Sequence, residues 1–270
     1  MLPLRTPTLP PATHTNTSFV GGECYWIVDP ATPNDQERTK LIDAIMSLRA
    51  EGRRALGIVL THHHNDHIGA VAWLREQLKI PIFAHPLTKD LLGGKIDVHI
   101  ELEEGDTLRG SKSLKDLWQV LHTPGHASGH IVLWNENLGI LVAGDMVASE
   151  GTILVEPPDG HMATYIQQLK RLRQLRPDLI VPAHGEVITK PVDLLDHYIS
   201  HRLSREAKIA SRLTRAEQSL SEVTAASYDD VPASLHRLAE GSTHAHLIKL
   251  EEEGRAVSTP ENRWRTVLEA

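Results

Sequence analysis

Four histidines and one aspartate lie within the seven residues THHHNDH, from Thr61 to His67. In an extended segment alternate side chains point the same way, so His62 and His64 can present their imidazoles to one point. Asp66 and His67 follow within reach of a second ion, and a carboxylate balances cationic charge that histidines alone cannot. The spacing H-x-H-x-D-H therefore predicts a site for two metal ions. A solvated histidine-rich tract that binds metal adventitiously would not place an aspartate at this position.

Three further candidate ligands follow apolar runs elsewhere in the chain. They are His126 in TPGHASGH, Asp145 in AGD and His184 in PAHG. Each lies beside a glycine, which allows the backbone to approach a site closely. A lone histidine after a strand is more often structural, and a lone Gly-Asp is usually a turn. Together with the H-x-H-x-D-H tract, however, the three residues are predicted to join the same metal centre.

Short runs rich in Val, Ile and Leu alternate with helical periodicity, which is the pattern of a sheet covered by helices. ALGIVL at 55–60 predicts a strand that leads into the histidine tract, and DHIGAVAWLREQL after it has the composition of a helix. Another helix is predicted from Met162 and is stopped by Pro177. Further strands are predicted at 117–122, 130–134, 138–144 and 179–184. The class is mixed α and β.

A second unit is predicted near Asp193, which divides the chain into domains 1–193 and 194–270. Apolar residues from Ile199 through Leu203 to Leu213 recur at helical spacing and predict a long amphipathic helix. VPASLHRLAEGSTHAHLIKLEEEGRAV then predicts a helix, a glycine-containing turn, a second helix and a short strand, which is helix-turn-helix organisation with a wing. Residues 194–270 carry 10 Lys and Arg against 12 Asp and Glu, a balance that disfavours binding of duplex DNA.

Composition narrows the classes of function. The chain has 270 residues and a net charge of -7, so it has no overall basic field to attract nucleic acid or an anionic membrane. Cys24 is the single cysteine, which excludes an internal disulfide and a cysteine-based zinc site. The opening MLPLRTPTLPPATHTNT lacks a continuous apolar region, so it predicts neither a signal peptide nor a membrane span. A reducing, cytoplasmic setting without a membrane partner is expected.

The order THHHNDH, TPGH, GD and AHG resembles the metallo-beta-lactamase superfamily, over residues from about 15 to 190. The resemblance implies an α/β fold, a four-layer αββα sandwich of two sheets flanked by helices, with metals at one edge. The tail, HYISHRLSREAKI followed by the helix-turn-helix segment, resembles the beta-lactamase-associated winged helix, which implies a small C-terminal winged-helix domain. The resemblance also implies seven metal ligands: His62, His64 and His126 for a first zinc, Asp66, His67 and His184 for a second, and Asp145 as a bridge.

The implied chemistry is hydrolysis with two Zn²⁺ per chain. Two such ions share a water, lower its pKa and polarise the substrate while the bridging hydroxide attacks. Mn²⁺ or Fe²⁺ fits the same ligand types. Asp66 is the candidate to orient the hydroxide or take its proton, and His130 is the candidate proton donor. Otherwise His63, His122 and His130 are interpreted as structural or as hydrogen-bond partners of the ligating imidazoles, and of the three only His130 is a candidate for catalysis.

Three functions stay open at this point. The first, favoured by the acidic composition, is hydrolysis of a small-molecule ester or thioester. The second is cleavage of single-stranded RNA, which the resemblance associates with animal members that have this tail; the charge of -7 and the aromatic content of 4% disfavour it. The third is a zinc-stabilised binding module, which seven ligands disfavour because a structural zinc site closes with four. Hydrolysis of β-lactams is not expected, because enzymes with that activity usually place a cysteine in the second metal site. The winged helix is expected to form a wall of the substrate cleft or a homodimer contact.

Overall fold

The computed structural model describes residues 1–267, apart from the side chain of Lys115. The first sheet has the order β1-β2-β3-β4-β5-β6 and the second has the order β11-β10-β9-β8-β7. The strands are β1 (Leu2–Arg5), β2 (His14–Gly21), β3 (Cys24–Val28), β4 (Arg54–Val59), β5 (Ile82–Ala84), β6 (Ile100–Glu101), β7 (Thr107–Arg109), β8 (Leu117–His122), β9 (Ile131–Asn135), β10 (Ile140–Gly144) and β11 (Leu179–Pro182).

The helices and a final hairpin complete the described chain. They are α1 (Asp35–Ala50), α2 (Asn65–Ile68), α3 (Val71–Leu78), α4 (Pro86–Leu92), α5 (Met162–Gln174), α6 (Pro191–Arg212), α7 (Leu220–Ser227), α8 (His236–Glu252), β12 (Ala256–Ser258) and β13 (Trp264–Thr266). Contacts divide the chain into a first unit, residues 1–123, 128–153 and 175–192, and a second unit, residues 124–127, 154–174 and 193–270. The predicted division at residue 193 did not include the two internal segments, 124–127 and 154–174, that the contacts assign to the second unit.

The core of the first unit lies between its two sheets. Val28 and Val59 from the first sheet pack with Trp118, Leu133 and Val142 from the second. The other face of the first sheet is covered by α1, α3 and α4, because their apolar side chains share a second buried cluster with it. Parallel pairing of β3 with β4 and of β10 with β11 brings the carboxyl ends of these strands to one edge of each sheet. The predicted mixed α and β class and the four strands predicted at 117–122, 130–134, 138–144 and 179–184 are confirmed within two residues at each end.

The sequence predicts a single helix after the histidine tract, but the chain forms two helices there, α2 and α3. The break falls between Ile68 and Val71. The amide of Gly69 donates to the carbonyl of Ala31 at 3.1 Å, and the amide of Ala70 donates to Pro30 at 2.9 Å, instead of to their own helix. Tertiary hydrogen bonds therefore override helical composition at this point and fix the loop that carries the histidines.

The turn predicted inside the helix-turn-helix segment is also wrong. Gly241 lies within the continuous helix α8 and is buried. A Cβ atom at this position would lie 3.0 Å from the side chain of Glu156, so the glycine permits a close approach that a larger residue would crowd. Helix α7 and helix α8 form the helical pair, and the β12–β13 hairpin forms the wing.

The buried face of α6 differs from the predicted apolar stripe. Leu203 is 40% exposed, whereas Glu206 and Ile209 are buried. The ammonium of Lys249 lies 2.9 and 2.8 Å from the two oxygens of Glu206. Burial by itself would raise the pKa of Glu206, but the neighbouring His246 ring and Lys249 ammonium lower it to about 2. A buried ion pair therefore joins α6 to α8 where the sequence predicted apolar packing.

None of the helices within residues 1–267 combines the length and the apolar character that crossing a bilayer requires.

Candidate metal centre

The predicted ligands of the first unit gather at the edge where its parallel strands end. The histidine tract begins two residues after β4, at Thr61 and His62, and helix α2 carries Asp66 and His67. Asp145 follows β10 directly, and His184 lies two residues after β11. Residues that are far apart in the sequence thus meet because each one follows the end of a strand. The sequence predicted Asp145 and His184 at strand ends and Asp66 and His67 at the start of the helix after the histidine tract, and the structure brings these residues together.

Asp29 follows β3 directly at this edge, and the sequence analysis missed it. One oxygen accepts the amide of Thr61 at 2.8 Å. The other accepts the Thr61 hydroxyl at 2.6 Å and the Nδ1–H of His67 at 2.9 Å. Asp29 is buried and has a left-handed backbone, with φ 49°. The available signal was an aspartate directly after the apolar strand CYWIV, which is the same pattern that singled out Asp145.

Two histidines of the tract present nitrogens to one point, as the alternation predicts. Nε2 of His62 and Nδ1 of His64 are 3.0 Å apart. The Thr61 hydroxyl donates to Asp29 and lies 2.9 Å from Nδ1 of His62, so it accepts the proton on that nitrogen. This arrangement fixes the tautomer of His62 and makes Nε2 the basic nitrogen. Two imidazole nitrogens at this separation can bind one cation together.

One oxygen of Asp145 faces two imidazoles. It lies 3.4 Å from Nε2 of His67 and 3.4 Å from Nε2 of His184. The other nitrogen of His184 donates to the carbonyl of His14 at 3.0 Å, which directs Nε2 inward. A carboxylate oxygen of Asp66 lies 3.7 Å from the same Nε2. The ligand atoms of Asp66, His67 and His184 lie within 4.8 Å of one another, as do those of His62, His67 and Asp145.

The chemistry of these donors fits a metal ion. Nε2 of His67 is buried and makes no hydrogen bond among the described residues, while Nδ1 is engaged by Asp29. Its lone pair therefore faces the Asp145 oxygen, and two electron-rich atoms in that position repel unless a proton or a cation lies between them. The cluster can bind metal, and each of its buried histidines has the orienting partner that metal-ligating histidines require.

The pKa shifts of His67 and Asp145 also indicate that the centre favours positive charge. Burial lowers the pKa of His67, but the Asp145 and Asp29 carboxylates outweigh it and raise this pKa well above its usual range. Burial would raise the pKa of Asp145, yet the His67 and His184 rings hold it well below its usual value. The site thus keeps Asp145 ionised, so its carboxylate can accept a cation.

His130 lies beside Asp145 and contacts its backbone. Its Nε2 accepts the backbone amide of Asp145 at 3.0 Å, and its Nδ1 lies 2.9 Å from the Thr123 hydroxyl. The residue is fully buried. Because Nε2 accepts, the ring carries its proton on Nδ1, beside the Thr123 hydroxyl. The geometry gives His130 a role in positioning Asp145, and its role as a proton donor stays a prediction.

His126 belongs to residues 124–127, which the contacts assign to the second unit. It is 6% exposed, and its Nδ1 donates to the carbonyl of Leu154 at 2.6 Å. This hydrogen bond leaves Nε2 as the basic nitrogen, the tautomer that a metal ligand needs. The assignment of His126 to the first metal stays a prediction.

Comparison with known proteins agrees with this geometry. The sequence matches the family profile of the metallo-beta-lactamase superfamily over residues 10–184 and that of the beta-lactamase associated winged helix domain over residues 219–264. Beta-lactamase-like protein 2 homolog from Caenorhabditis elegans is 32% identical over 247 residues, which cover 89% of this chain and 79% of that protein. Probable metallo-hydrolase YqjP from Bacillus subtilis is 24% identical over 280 residues, covering 87% of each.

Solved structures give the same fold. A metallo-beta-lactamase family protein from Thermus thermophilus aligns with a TM-score of 0.78 at 23% identity, covering 98% of this chain and 97% of that one. A protein designated TTHA1623, solved in a di-iron-bound form, aligns with a TM-score of 0.56 at 29% identity, covering 72% and 96%. The fold class inferred from the sequence, with its C-terminal winged-helix domain, is confirmed by these matches.

Proposed function

Because the chain belongs to the metallo-beta-lactamase superfamily, we propose that it is a dinuclear zinc hydrolase that cleaves a small-molecule ester or thioester. The observation that carries the proposal is the position of Asp145: one of its oxygens lies 3.4 Å from His67 and His184 of the proposed second site, and its ligand atom also groups within 4.8 Å of His62 of the proposed first site, which suits a carboxylate shared by two cations. Two bound zinc ions would supply Lewis acidity and a water of lowered pKa.

The proposed ligand sets follow the two groups of donors. His62 and His64, joined by His126, would hold the first ion. Asp66, His67 and His184 would hold the second, and Asp145 would bridge the two. Iron fits these ligands as well, and one relative of known structure was solved in a di-iron-bound form.

The residues of this chain would divide the remaining work. Asp29 holds the proton on Nδ1 of His67 and so keeps Nε2 available as a ligand atom. Asp66 is half-buried at the start of α2, where its carboxylate can orient the attacking water or accept its proton. The buried amide interaction of His130 fixes the backbone of Asp145.

The charges of the second unit favour an acyl substrate over RNA. Six of the ten basic side chains in residues 194–270 form ion pairs with carboxylates of the same unit. Arg205 and Lys208, for example, both pair with Asp230 at 2.9 Å. A surface on which most cations are already paired with carboxylates offers less free charge for a phosphate backbone.

The test is turnover by untagged, zinc-loaded protein on a panel of acyl thioesters and esters and on an unstructured single-stranded RNA. Acyl turnover is expected, and Asp66→Asn should lower it by about a hundredfold or more. Asp43→Asn, at an exposed position of α1, is the matched control and should leave it unchanged. RNA cleavage without acyl turnover would overturn the proposed substrate, and metal binding without any turnover would favour a binding module instead.

A further inference from the structure

A cavity of about 490 Å³ opens in the first unit, at the amino-terminal ends of β3 and β4. Buried side chains, including Tyr25 and Ile45, supply its apolar lining. Three arginines also line it: the exposed Arg49 and Arg54 and the half-buried Arg53. The volume falls in the range of small-molecule sites, which is roughly 300 to 1,000 Å³.

One of the three guanidinium groups is held in place by the backbone. Nε of Arg53 donates to the carbonyl of Gly22 at 2.8 Å, and Nη2 donates to Gly21 at 3.1 Å. The group also lies over the ring of Tyr25, with its carbon 5.4 Å from the ring centroid. A guanidinium fixed before a ligand arrives loses little conformational entropy on binding, so it is preorganised.

The charge of the cavity is uncompensated. Its lining contains no carboxylate, and Arg49, Arg53 and Arg54 form no ion pair within the described part of the chain. Backbone carbonyls at the end of α1 are another source of partial negative charge. Those of Leu48 and Arg49 already accept the amides of Arg53 and Gly52. Three positive charges therefore gather over an apolar surface in a chain whose net charge is -7.

This cavity is separate from the metal centre. It lies at the first residues of β4, Arg54 and Ala55, whereas the histidine tract follows the last residue of the same strand, Val59. A strand of 6 residues spans about 20 Å, since each residue rises about 3.3 Å. A ligand bound at the arginines would therefore not contact the metal ligands.

We propose that the cavity binds a small amphiphilic anion, a carboxylate on an alkyl chain. The guanidinium groups would hold the carboxylate through charge-assisted hydrogen bonds, which form well with the planar fork of arginine. The alkyl chain would cover the apolar surface formed by residues such as Met46 and Leu78. A simple anion would leave the apolar lining uncovered, and a neutral apolar ligand would leave the arginine side chains without a partner. A ligand with both a carboxylate and an alkyl chain fits both features.

Titration calorimetry of the metal-loaded protein with decanoate tests the proposal, with decanol and inorganic phosphate as comparison probes. Decanoate is expected to bind more tightly than either. Affinity should rise about fourfold for each methylene from hexanoate to decanoate, while the chain still meets apolar surface. The double variant R49A/R54A should weaken decanoate binding by about tenfold or more. Both side chains are exposed, so the variant should keep the circular dichroism spectrum and melting temperature of the parent protein.

A matched variant, R109A/R215A, removes two exposed arginines that do not line the cavity and should bind decanoate as the parent protein does. Equal binding of decanoate by R49A/R54A would overturn the proposal, because it would place the ligand elsewhere, for example on the metals. If decanol bound as tightly as decanoate, the proposed contact between the arginines and a carboxylate would be wrong. If inorganic phosphate bound as tightly as decanoate, the proposed contact between the apolar lining and an alkyl chain would be wrong.

Discussion

The substitution Asp29→Asn tests how the metal centre depends on a residue that is not itself a proposed ligand. Asparagine has nearly the same shape, and it tolerates the left-handed backbone of this position, with φ 49°. One oxygen can still accept the amide of Thr61. The new NH₂ group, however, would replace the oxygen that accepts the Thr61 hydroxyl and Nδ1–H of His67, so it places a donor against a donor.

The expected result is a change of tautomer at His67. The ring keeps its orientation, so Nε2 of His67 still faces Asp145. A proton that moves to Nε2 then occupies the lone pair that would bind the metal. Loss of an orienting carboxylate typically weakens metal binding by about ten- to a hundredfold. That factor corresponds to about 1.4 to 2.8 kcal/mol, which is close to the worth of one hydrogen bond to a charged group.

The assay is competition for zinc against a chromophoric chelator, with circular dichroism to verify the fold. Asp90→Asn, at an exposed position of α4, removes the same charge far from Asp29 in sequence and should bind zinc like the parent protein. Zinc affinity of Asp29→Asn equal to that of the parent would refute the reasoning, because it would show that the Asp29–His67 hydrogen bond does not set the ligand tautomer.

Three further changes have defined outcomes. Glu206→Gln should lower the free energy of unfolding by about 3 kcal/mol at pH 7, as measured by urea denaturation. Since the pKa of Glu206 is near 2 in the folded state against 4.5 as its ordinary value, its stabilising effect is complete above pH 4.5, and the difference should close as pH falls from 4.5 toward 2. Gly125→Ala should cost about 3 kcal/mol or more, because φ is +135° and a Cβ would lie 2.4 Å from Cα of Tyr165, while Gly105→Ala, with φ +88° and open space, should cost only about 1 to 2 kcal/mol. His130→Phe should lower stability by about 1 to 3 kcal/mol and weaken zinc binding, since it removes the acceptor for the amide after β10.

Much of the candidate site could be predicted because its residues follow recognisable strands. His62, His64, Asp145 and His184 each follow an apolar run, and such runs are local signals that need no knowledge of the fold. Asp29 follows the same rule, but its partners are a threonine and a histidine more than thirty residues away, so its role appears only when the chain is folded.

The errors have tertiary causes. The helix break before Val71 depends on carbonyls of Ala31 and Pro30, which local composition does not reveal. The buried Glu206 was missed because a charged residue is assigned to solvent unless its partner is known, and that partner, Lys249, lies 43 residues away. Periodicity describes which face of a helix is apolar, whereas a buried ion pair depends on a neighbouring helix.

The most direct test of the account is the metal content of untagged protein, measured by elemental analysis alongside the variant Asp145→Ala. The account predicts close to two metal ions per chain in the parent protein and a clear loss in the variant, because Asp145 lies beside His67 and His184 of the proposed second site and within 4.8 Å of His62 of the proposed first site. Parent protein that binds no metal when zinc is supplied, or a variant that retains both ions, would contradict a centre bridged by Asp145.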